Sequence, residues 1–253
     1  MKFNVTDKSY DTSQVDLTII IYESTTQLKK LFSKTTLANP INELIKTKEL
    51  SNTSASVTFY HDFSKKKSQR VCFVGCGKKE ATPNLIRQKA ALISKKIKPL
   101  NFKSINVDLN LLSQLNIDDS AIAFTEGFIL GNYTFSDLKT DKKPNESIQH
   151  IFFITTDNSI SKKTAVAAIN AEAQNIARYL ANLPGNLLTP ALFVKQIKSI
   201  LSDKAFKIKV YNSNELQKKG MNALYNVGKG SENPPYLVEI KLNISKTKKP
   251  AIL

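Results

Sequence analysis

Tryptophan is absent from this sequence, and cysteine and histidine each occur only twice. Cys72 and Cys76 lie in a segment typical of a β-strand, where residues four apart are separated by about 13 Å, too far for a disulfide. His61 and His150 are not spaced as metal ligands, so a zinc site would lack two of the ligands it needs. The sequence therefore predicts two buried free thiols.

A long hydrophobic run is also missing. The most apolar segment, residues 15–22, contains Asp16 and is far shorter than the roughly 18 apolar residues that suggest a membrane span. The first seven residues lack the apolar region of a secretory signal. With 41% hydrophobic and 23% charged residues, the composition is typical of a globular protein. We therefore expect a cytoplasmic protein without a membrane partner.

Arginine is scarce, although the net charge is +16. Arg70, Arg87 and Arg178 are the only arginines, and the other basic residues are lysines. Because arginine is the better bidentate ligand for phosphates and guanine edges, this composition weakens the case for sequence-specific DNA recognition. The lysines are spread along the chain, which favours a solvated basic surface. Contact with nucleic acid stays open as an alternative.

Strands and helices alternate through residues 1–157. This alternation predicts an α/β domain with a largely parallel sheet. Pro40 is expected to open a short helix, because proline fits the first helical position. The predicted strands cover residues 16–22, 57–60, 70–76, 105–109 and 149–155. The expected N-caps of the other helices are Ser24 or Thr25, Thr82, and Asp118 or Asp119.

A linking helix, residues 158–182, and a second α/β segment, residues 183–253, are predicted to follow. Thr189 as N-cap and Pro190 at the first position indicate a helix to about residue 201. Strands at 206–211 and 236–242 flank a short helix at 214–219, and residues 250–253 are typical of a strand beginning. The larger apolar residues of the linking helix repeat at three–four spacing, at Val166, Ile169, Ala173, Ile176 and Leu180. With so few strands, we expect the second segment to be an incomplete domain.

Two phrases in the second half carry a family resemblance. The first is Asn182-Leu183-Pro184-Gly185-Asn186, within residues 177–190. The second is Val227-Gly228-Lys229-Gly230, preceded by residues 220–224 and followed by Ser231-Glu232-Asn233-Pro234-Pro235. Their order and spacing resemble the opening of the catalytic domain of leucyl (cytosol) aminopeptidases, metallopeptidases that remove N-terminal residues from peptides. Residues 1–157 resemble the macro-like N-terminal domain of that family.

The resemblance implies a hexameric hydrolase with two divalent metals, manganese or zinc. In the family, the metal-binding lysine stands in a Val-Gly-Lys-Gly phrase with an aspartate five residues later. Pro234 occupies that position here, so Lys229 is expected to be a loop lysine whose glycines form a turn. Neither family ligand phrase occurs before Leu253. We therefore assign no catalytic, metal-binding or cofactor-binding residue, and expect no metal and no peptidase activity in this chain as it stands.

Three roles therefore remain open. The leading one is the N-terminal portion of an aminopeptidase, with a hexamer or a missing C-terminal half as its partner. The second is a non-catalytic interaction or DNA-binding protein derived from the family. The third is an ADP-ribose-type module in residues 1–157. The loop Gly75-Cys76-Gly77-Lys78-Lys79-Glu80 follows a strand, but Glu80 replaces the third glycine of a dinucleotide loop, which favours a tight strand exit.

Overall fold

The computed structural model describes residues 1–8, 14–51, 57–63, 69–77, 81–112, 115–140, 148–203 and 205–242. The chain divides into two compact units, Met1–Arg178 and Tyr179–Leu253. The helix predicted as a linker therefore lies with the first unit over most of its length. Among the described residues, no helix combines the length and the hydropathy needed to cross a bilayer.

A six-stranded sheet forms the centre of the first unit. Its strands are β1 (Lys2–Thr6), β2 (Leu17–Tyr22), β3 (Val57–Asp62), β4 (Gln69–Gly75), β5 (Ser104–Leu111) and β6 (His150–Ile154). Their order across the sheet is β1-β6-β5-β2-β4-β3, and only the β3–β4 pair is antiparallel. The predicted largely parallel α/β sheet is therefore confirmed. Strand β1 was not predicted, because its alternation of polar and apolar residues is short.

Helices cover both faces of this sheet. They are α1 (Thr25–Phe32), α2 (Ala38–Lys46), α3 (Pro83–Ile97), α4 (Ile117–Asn132) and α5 (Ser159–Asn182), with a 3₁₀ turn at Lys98–Leu100. Ser24 and Thr82 cap α1 and α3, as predicted. For α4 the prediction was wrong, since Asn116 is the N-cap and its side-chain oxygen accepts the N–H of Asp119 at 2.8 Å. Asp118 and Asp119 lie in the first turn, where a negative charge is favourable.

The start of α2 also differs from the prediction. The helix begins at Ala38, two residues before Pro40, with Leu37 as its N-cap. Proline is tolerated there because the first N–H groups of a helix have no partner within the helix.

Two hydrophobic clusters lie on opposite faces of the sheet. Strand β2 contributes side chains to both clusters, so it is buried on both sides. All six residues of β2 are buried. Ile19 and Ile21 join the cluster formed with α3 and α4, whereas Ile20 and Tyr22 join the cluster formed with α1 and α2. This division follows from the two-residue period of a strand, and it explains the continuous apolar run of β2.

Helix α5 packs within the first unit mainly through small residues. Thr164, Ala167 and Ala171 are buried, together with Ile160 in the first turn, whereas the larger Val166 and Ile169 are exposed. The three–four spacing of large residues predicted the helix correctly. The face that packs is nevertheless the alanine face, because small side chains allow closer approach to the neighbouring elements.

The described residues of the second unit form three helices and a two-stranded sheet. The elements are α6 (Pro190–Ile200), β7 (Phe206–Tyr211), α7 (Ser213–Lys218), α8 (Asn222–Gly228) and β8 (Leu237–Leu242). Thr189 caps α6 as predicted, and β7 and β8 pair in antiparallel fashion. Helix α8 was not predicted. The predicted strand at residues 250–253 lies outside the described residues.

Candidate functional site

The segment around Lys229 is a turn at the end of α8. The N–H of Lys229 donates to the Tyr225 carbonyl oxygen at 2.9 Å, and its side chain is exposed. A Cβ on Gly228 would come within 2.6 Å of Pro235, so glycine allows the chain to fold back here. The N–H of Ser231 donates to the Gly228 carbonyl oxygen at 3.2 Å. These contacts build a local turn around Lys229.

The second unit has four acidic residues, and three of them support its own local structure. The four are Asp203, Glu215, Glu232 and Glu239. Asp203 accepts the N–H of Ala205 at 2.8 Å, and Glu215 completes a capping box at the start of α7. Among the described residues of the whole chain, no group of three or more His, Cys, Asp or Glu side chains could hold a metal ion.

Glu239 lies in a polar network on one face of the β7–β8 sheet. Tyr211 Oη donates to Glu239 Oε2 at 3.0 Å, and Lys241 Nζ lies 2.7 Å from Glu239 Oε1. These two donors, Lys241 first, lower the pKa of the Glu239 carboxyl group. The ammonium of Lys209 lies 4.8 Å from the centre of the Tyr211 ring. The negative charge of the Glu239 carboxylate is thus compensated by its neighbours in the same sheet.

The two cysteines are free and buried, as predicted. Desolvation raises the pKa of the Cys72 thiol to about 12 and that of Cys76 to about 11. The charge of Glu23 adds to the rise at Cys76, whereas Lys89 opposes it. Because the thiolate is the reactive form, these raised pKa values disfavour nucleophilic reaction of either thiol at neutral pH.

Cys76 lies in a cluster of titratable groups with Glu23 and Lys89. Its N–H donates to the Tyr22 carbonyl oxygen at 2.9 Å, which joins the carboxyl ends of β4 and β2. Lys89 of α3 is only 5% exposed, and desolvation lowers its pKa. Gly77 has φ +81°, so the strand exit needs a glycine, in agreement with the predicted tight exit. Residues 78–80 lie outside the described residues.

This cluster stands near a point where the chain changes direction across the sheet. Strands β2 and β5 are neighbours, but α1 follows β2 on one face and α4 follows β5 on the other. Crevices at such positions are frequent ligand sites in α/β proteins. The burial of Lys89 was not predicted from the sequence, although Lys89 lies beside Ile86, Ala90 and Ile93, which have the spacing of core residues.

Side chains from two other elements cap the C-terminal end of α4. The last turn of α4 has no basic residue of its own, so its free carbonyl groups need donors from elsewhere. The donors are Asn175 Nδ2 to the Ile129 oxygen at 3.3 Å, Arg178 Nη1 to the Leu130 oxygen at 3.0 Å, and Lys98 Nζ to the Asn132 oxygen at 2.8 Å. These contacts attach α5 and the 3₁₀ turn to α4.

A shallow cavity of 390 Å³ lies beside this helix end. Lys98 also contacts the Thr134 hydroxyl group, so its ammonium already has partners. The residues that line the cavity are Lys95, Lys98, Pro99, Gly131, Tyr133 and Thr134. Among the described residues at this position there is no carboxylate, thiol or imidazole, so the cavity offers no acid–base pair.

The described residues form no catalytic arrangement around the two histidines, Ser120 or Ser231. His61 is in β3 and His150 is in β6, with three strands between them, a separation of about 19 Å. Ser120 Oγ donates to the Asn116 carbonyl oxygen at 2.9 Å within α4. Ser231 Oγ accepts the N–H of Asn233 at 3.1 Å in the turn after α8. Both hydroxyl groups therefore have structural partners.

Comparison with known proteins gives matches in the same order as the two units. Residues 19–142 match the N-terminal domain of the cytosol aminopeptidase family, and residues 175–253 match the catalytic domain of that family. The probable cytosol aminopeptidase of Sulfurihydrogenibium sp. is 30% identical over 248 residues, which are 95% of this chain and 49% of the relative. The cytosol aminopeptidase of Haemophilus influenzae is 30% identical over 224 residues, covering 84% of this chain and 45% of the relative.

Solved structures share the fold. A tomato leucine aminopeptidase mutant superposes with a TM-score of 0.79 at 19% identity, over 98% of this chain and 52% of that chain. The bottromycin maturation enzyme BotP, in complex with Mn, gives a TM-score of 0.69 at 21% identity, over 90% of this chain and 45% of that chain. The chain thus spans about half the length of the relatives it matches. With both domain models matched in order, this chain belongs to the cytosol aminopeptidase family.

Proposed function

We propose that this chain provides the N-terminal domain and the beginning of the catalytic domain of a two-metal aminopeptidase, an enzyme that releases N-terminal residues from peptides. The observations that support this are the two family matches in order and the coverage of about half of each relative. The complete enzyme would carry two divalent metals and act in the cytoplasm. Binding of its peptide substrates and of its metals would require a further part of the catalytic domain.

We also propose that this chain alone does not hydrolyse peptides. The positions of the acidic residues of the second unit support this. A two-metal site needs several carboxylates that converge on one position. Asp203, Glu215 and Glu239 instead accept hydrogen bonds from other residues of the second unit, and Glu232 stands in the exposed turn after α8. Pro234 occupies the position five residues after Lys229. These residues do not fit a metal pair, so we derive no catalytic step through it.

An activity assay tests the proposal directly. Purified chain is incubated with leucine anilide and added Mn²⁺, and we expect release of the aniline no faster than in buffer alone. The cytosol aminopeptidase of Haemophilus influenzae, assayed in parallel, controls for the metal and the substrate.

Lys229→Met is the informative variant, because Lys229 is the residue most similar to a family metal ligand. Metal-dependent hydrolysis by this chain that disappears in Lys229→Met would contradict the proposal. It would place a working ligand in the turn after α8.

A further inference from the structure

Lys98 brings a positive charge with an unused donor to the cavity beside the end of α4. Its ammonium group donates to the Asn132 carbonyl oxygen at 2.8 Å and to the Thr134 hydroxyl group. An ammonium group has three N–H donors, so one remains after these two contacts. Both partners are neutral, and among the described residues that line the cavity there is no carboxylate. The lining therefore leaves the charge of Lys98 uncompensated.

The ammonium group of Lys98 is also partly removed from water. Its residue is half-buried, and desolvation lowers the pKa of the side chain. Desolvation disfavours the charged form of a lysine, whereas a nearby opposite charge favours it. An anion in the cavity would supply that opposite charge and would accept the remaining N–H donor.

Lys95 adds a second positive charge to the same cavity. It is exposed in the last turn of α3, three residues before Lys98, so the two side chains are neighbours on the helix surface. The carbonyl end of α4 would by itself repel an anion. The carbonyl oxygens of Leu130 and Asn132 already accept hydrogen bonds from Arg178 and Lys98, which offsets that repulsion. The charges around the cavity therefore favour an anion.

The size and the walls of the cavity favour an organic anion over a bare ion. Its volume of 390 Å³ lies within the range of small-molecule pockets, about 300–1,000 Å³, and a bare phosphate ion would fill only a fraction of it. The rings of Pro99 and Tyr133 supply apolar walls. The Tyr133 ring is held in place by Arg178, whose guanidinium carbon lies 4.2 Å from the ring centre. A flat ring of a ligand can pack against such walls.

The same lining disfavours a ligand that carries an ammonium group. The lining has no carboxylate within the described residues, and an ammonium group there would lie near the charges of Lys95 and Lys98. An α-amino acid should therefore bind less tightly than an anion of the same shape without the amine.

We propose that this cavity binds a small organic anion, whose phosphate or carboxylate group contacts Lys98 and Lys95 and whose flat apolar ring lies against Pro99 and Tyr133. The site lies within the first unit and is separate from peptide hydrolysis, so it stands or falls independently of the proposed function.

Phenyl phosphate is the first probe, because it joins a doubly charged oxyanion to a flat ring. The purified, isotope-labelled chain is titrated with it, and the amide signals of Gly131, Tyr133 and Thr134 are followed by NMR. We expect saturable shifts with a dissociation constant below about 1 mM. Inorganic phosphate and phenol each carry one part of the probe, and each should bind at least fivefold more weakly. Phenylpropionate should bind at least fivefold more tightly than phenylalanine, which adds an amine to the same body.

Lys95→Met and Lys96→Met form a matched pair of variants. Both lysines are exposed in the last turn of α3, but only Lys95 lines the cavity. We expect Lys95→Met to weaken the binding of phenyl phosphate at least threefold and Lys96→Met to change it less than twofold. Lys98→Met should weaken it at least tenfold. Because Lys98 also caps α4, the pair at 95 and 96 keeps the test decisive if Lys98→Met does not fold.

Four results would overturn the proposal. The first is the absence of saturable shifts with phenyl phosphate, and the second is equal weakening by Lys95→Met and Lys96→Met, which would indicate general attraction to a basic surface. The third is binding of inorganic phosphate as tight as that of phenyl phosphate, because a bare ion would then suffice. The fourth is binding of phenylalanine as tight as that of phenylpropionate, which would contradict the charge of the site.

Discussion

At the scale of single residues, two glycines set the distance between α3 and α4. A Cβ on Gly127 would overlap the backbone of Arg87, and one on Gly131 would lie 2.5 Å from the Cα atom of Ala91. The four-residue spacing on both helices makes these contacts successive turns of one interface. Neither glycine was identified in the sequence as a packing residue, because a glycine within a helix gives no sign of which neighbour approaches it.

Gly127→Ala is therefore expected to destabilise the first unit. Alanine favours the helix by about 1 kcal/mol, but overpacking against the Arg87 backbone costs about 1–3 kcal/mol or more, and backbone atoms cannot rotate away. We expect a net loss of roughly 1–2 kcal/mol in the free energy of unfolding, measured by urea denaturation. Gly185→Ala is the control, because its added methyl group meets no atom within 4 Å. Equal stability of the two variants would refute the close contact.

At the scale of elements, Arg178 connects the end of α5 to the end of α4. Its Nη1 donates to the Leu130 carbonyl oxygen at 3.0 Å and to Asn175 Oδ1 at 2.9 Å. Its guanidinium carbon lies 4.2 Å from the centre of the Tyr133 ring. A planar cation that stacks and donates at once suits arginine better than lysine. The scarcity of arginine in the chain makes this position notable.

Arg178→Ala should loosen the C-terminal turns of α5. Loss of an exposed hydrogen bond and a cation–π contact is worth about 1 kcal/mol together, which corresponds to about fivefold faster local opening. Amide exchange of residues 175–182 measures this effect. Lys162→Ala is the matched control, because Lys162 is an exposed basic residue on the same helix. Unchanged exchange in Arg178→Ala would mean that Arg178 does not hold the C-terminal turns of α5.

At the scale of the whole molecule, the two units differ in how much apolar surface they bury. Both faces of the first unit's sheet are covered, and β2 is completely buried. The second unit exposes large hydrophobic residues on α6, α8 and β8, including Leu192, Val227 and Ile240. Stability follows buried apolar area, so the second unit should open more readily.

Amide exchange along the chain tests this difference. We expect the amides of β2 and β5 to exchange at least tenfold more slowly than those of β7 and β8, because the first group opens only when the first unit unfolds. The measurement is made at two protein concentrations, so that self-association through the exposed hydrophobic residues of the second unit would be detected. Equal protection of both groups would indicate that β7 and β8 are covered.

The sequence determined much of this protein by local chemistry. β-Branched runs placed β2, β4 and β5, and polar residues before apolar periods placed the caps Ser24, Thr82 and Thr189. Two phrases around Asn182 and Lys229 indicated the family that the comparisons confirm. These features depend on residues close together in the chain, which the sequence displays directly.

Tertiary structure decided what depends on distant neighbours. The strand order, the burial of Lys89 and the approach of α4 to α3 at Gly127 arise from elements far apart in sequence. The choice of Asn116 over Asp118 as a cap depended on where the backbone leaves the extended conformation. The alternation of β7 and β8 places apolar residues on one face of their sheet, but only the tertiary structure shows how far that face is exposed among the described residues, because exposure depends on every atom that could lie over it.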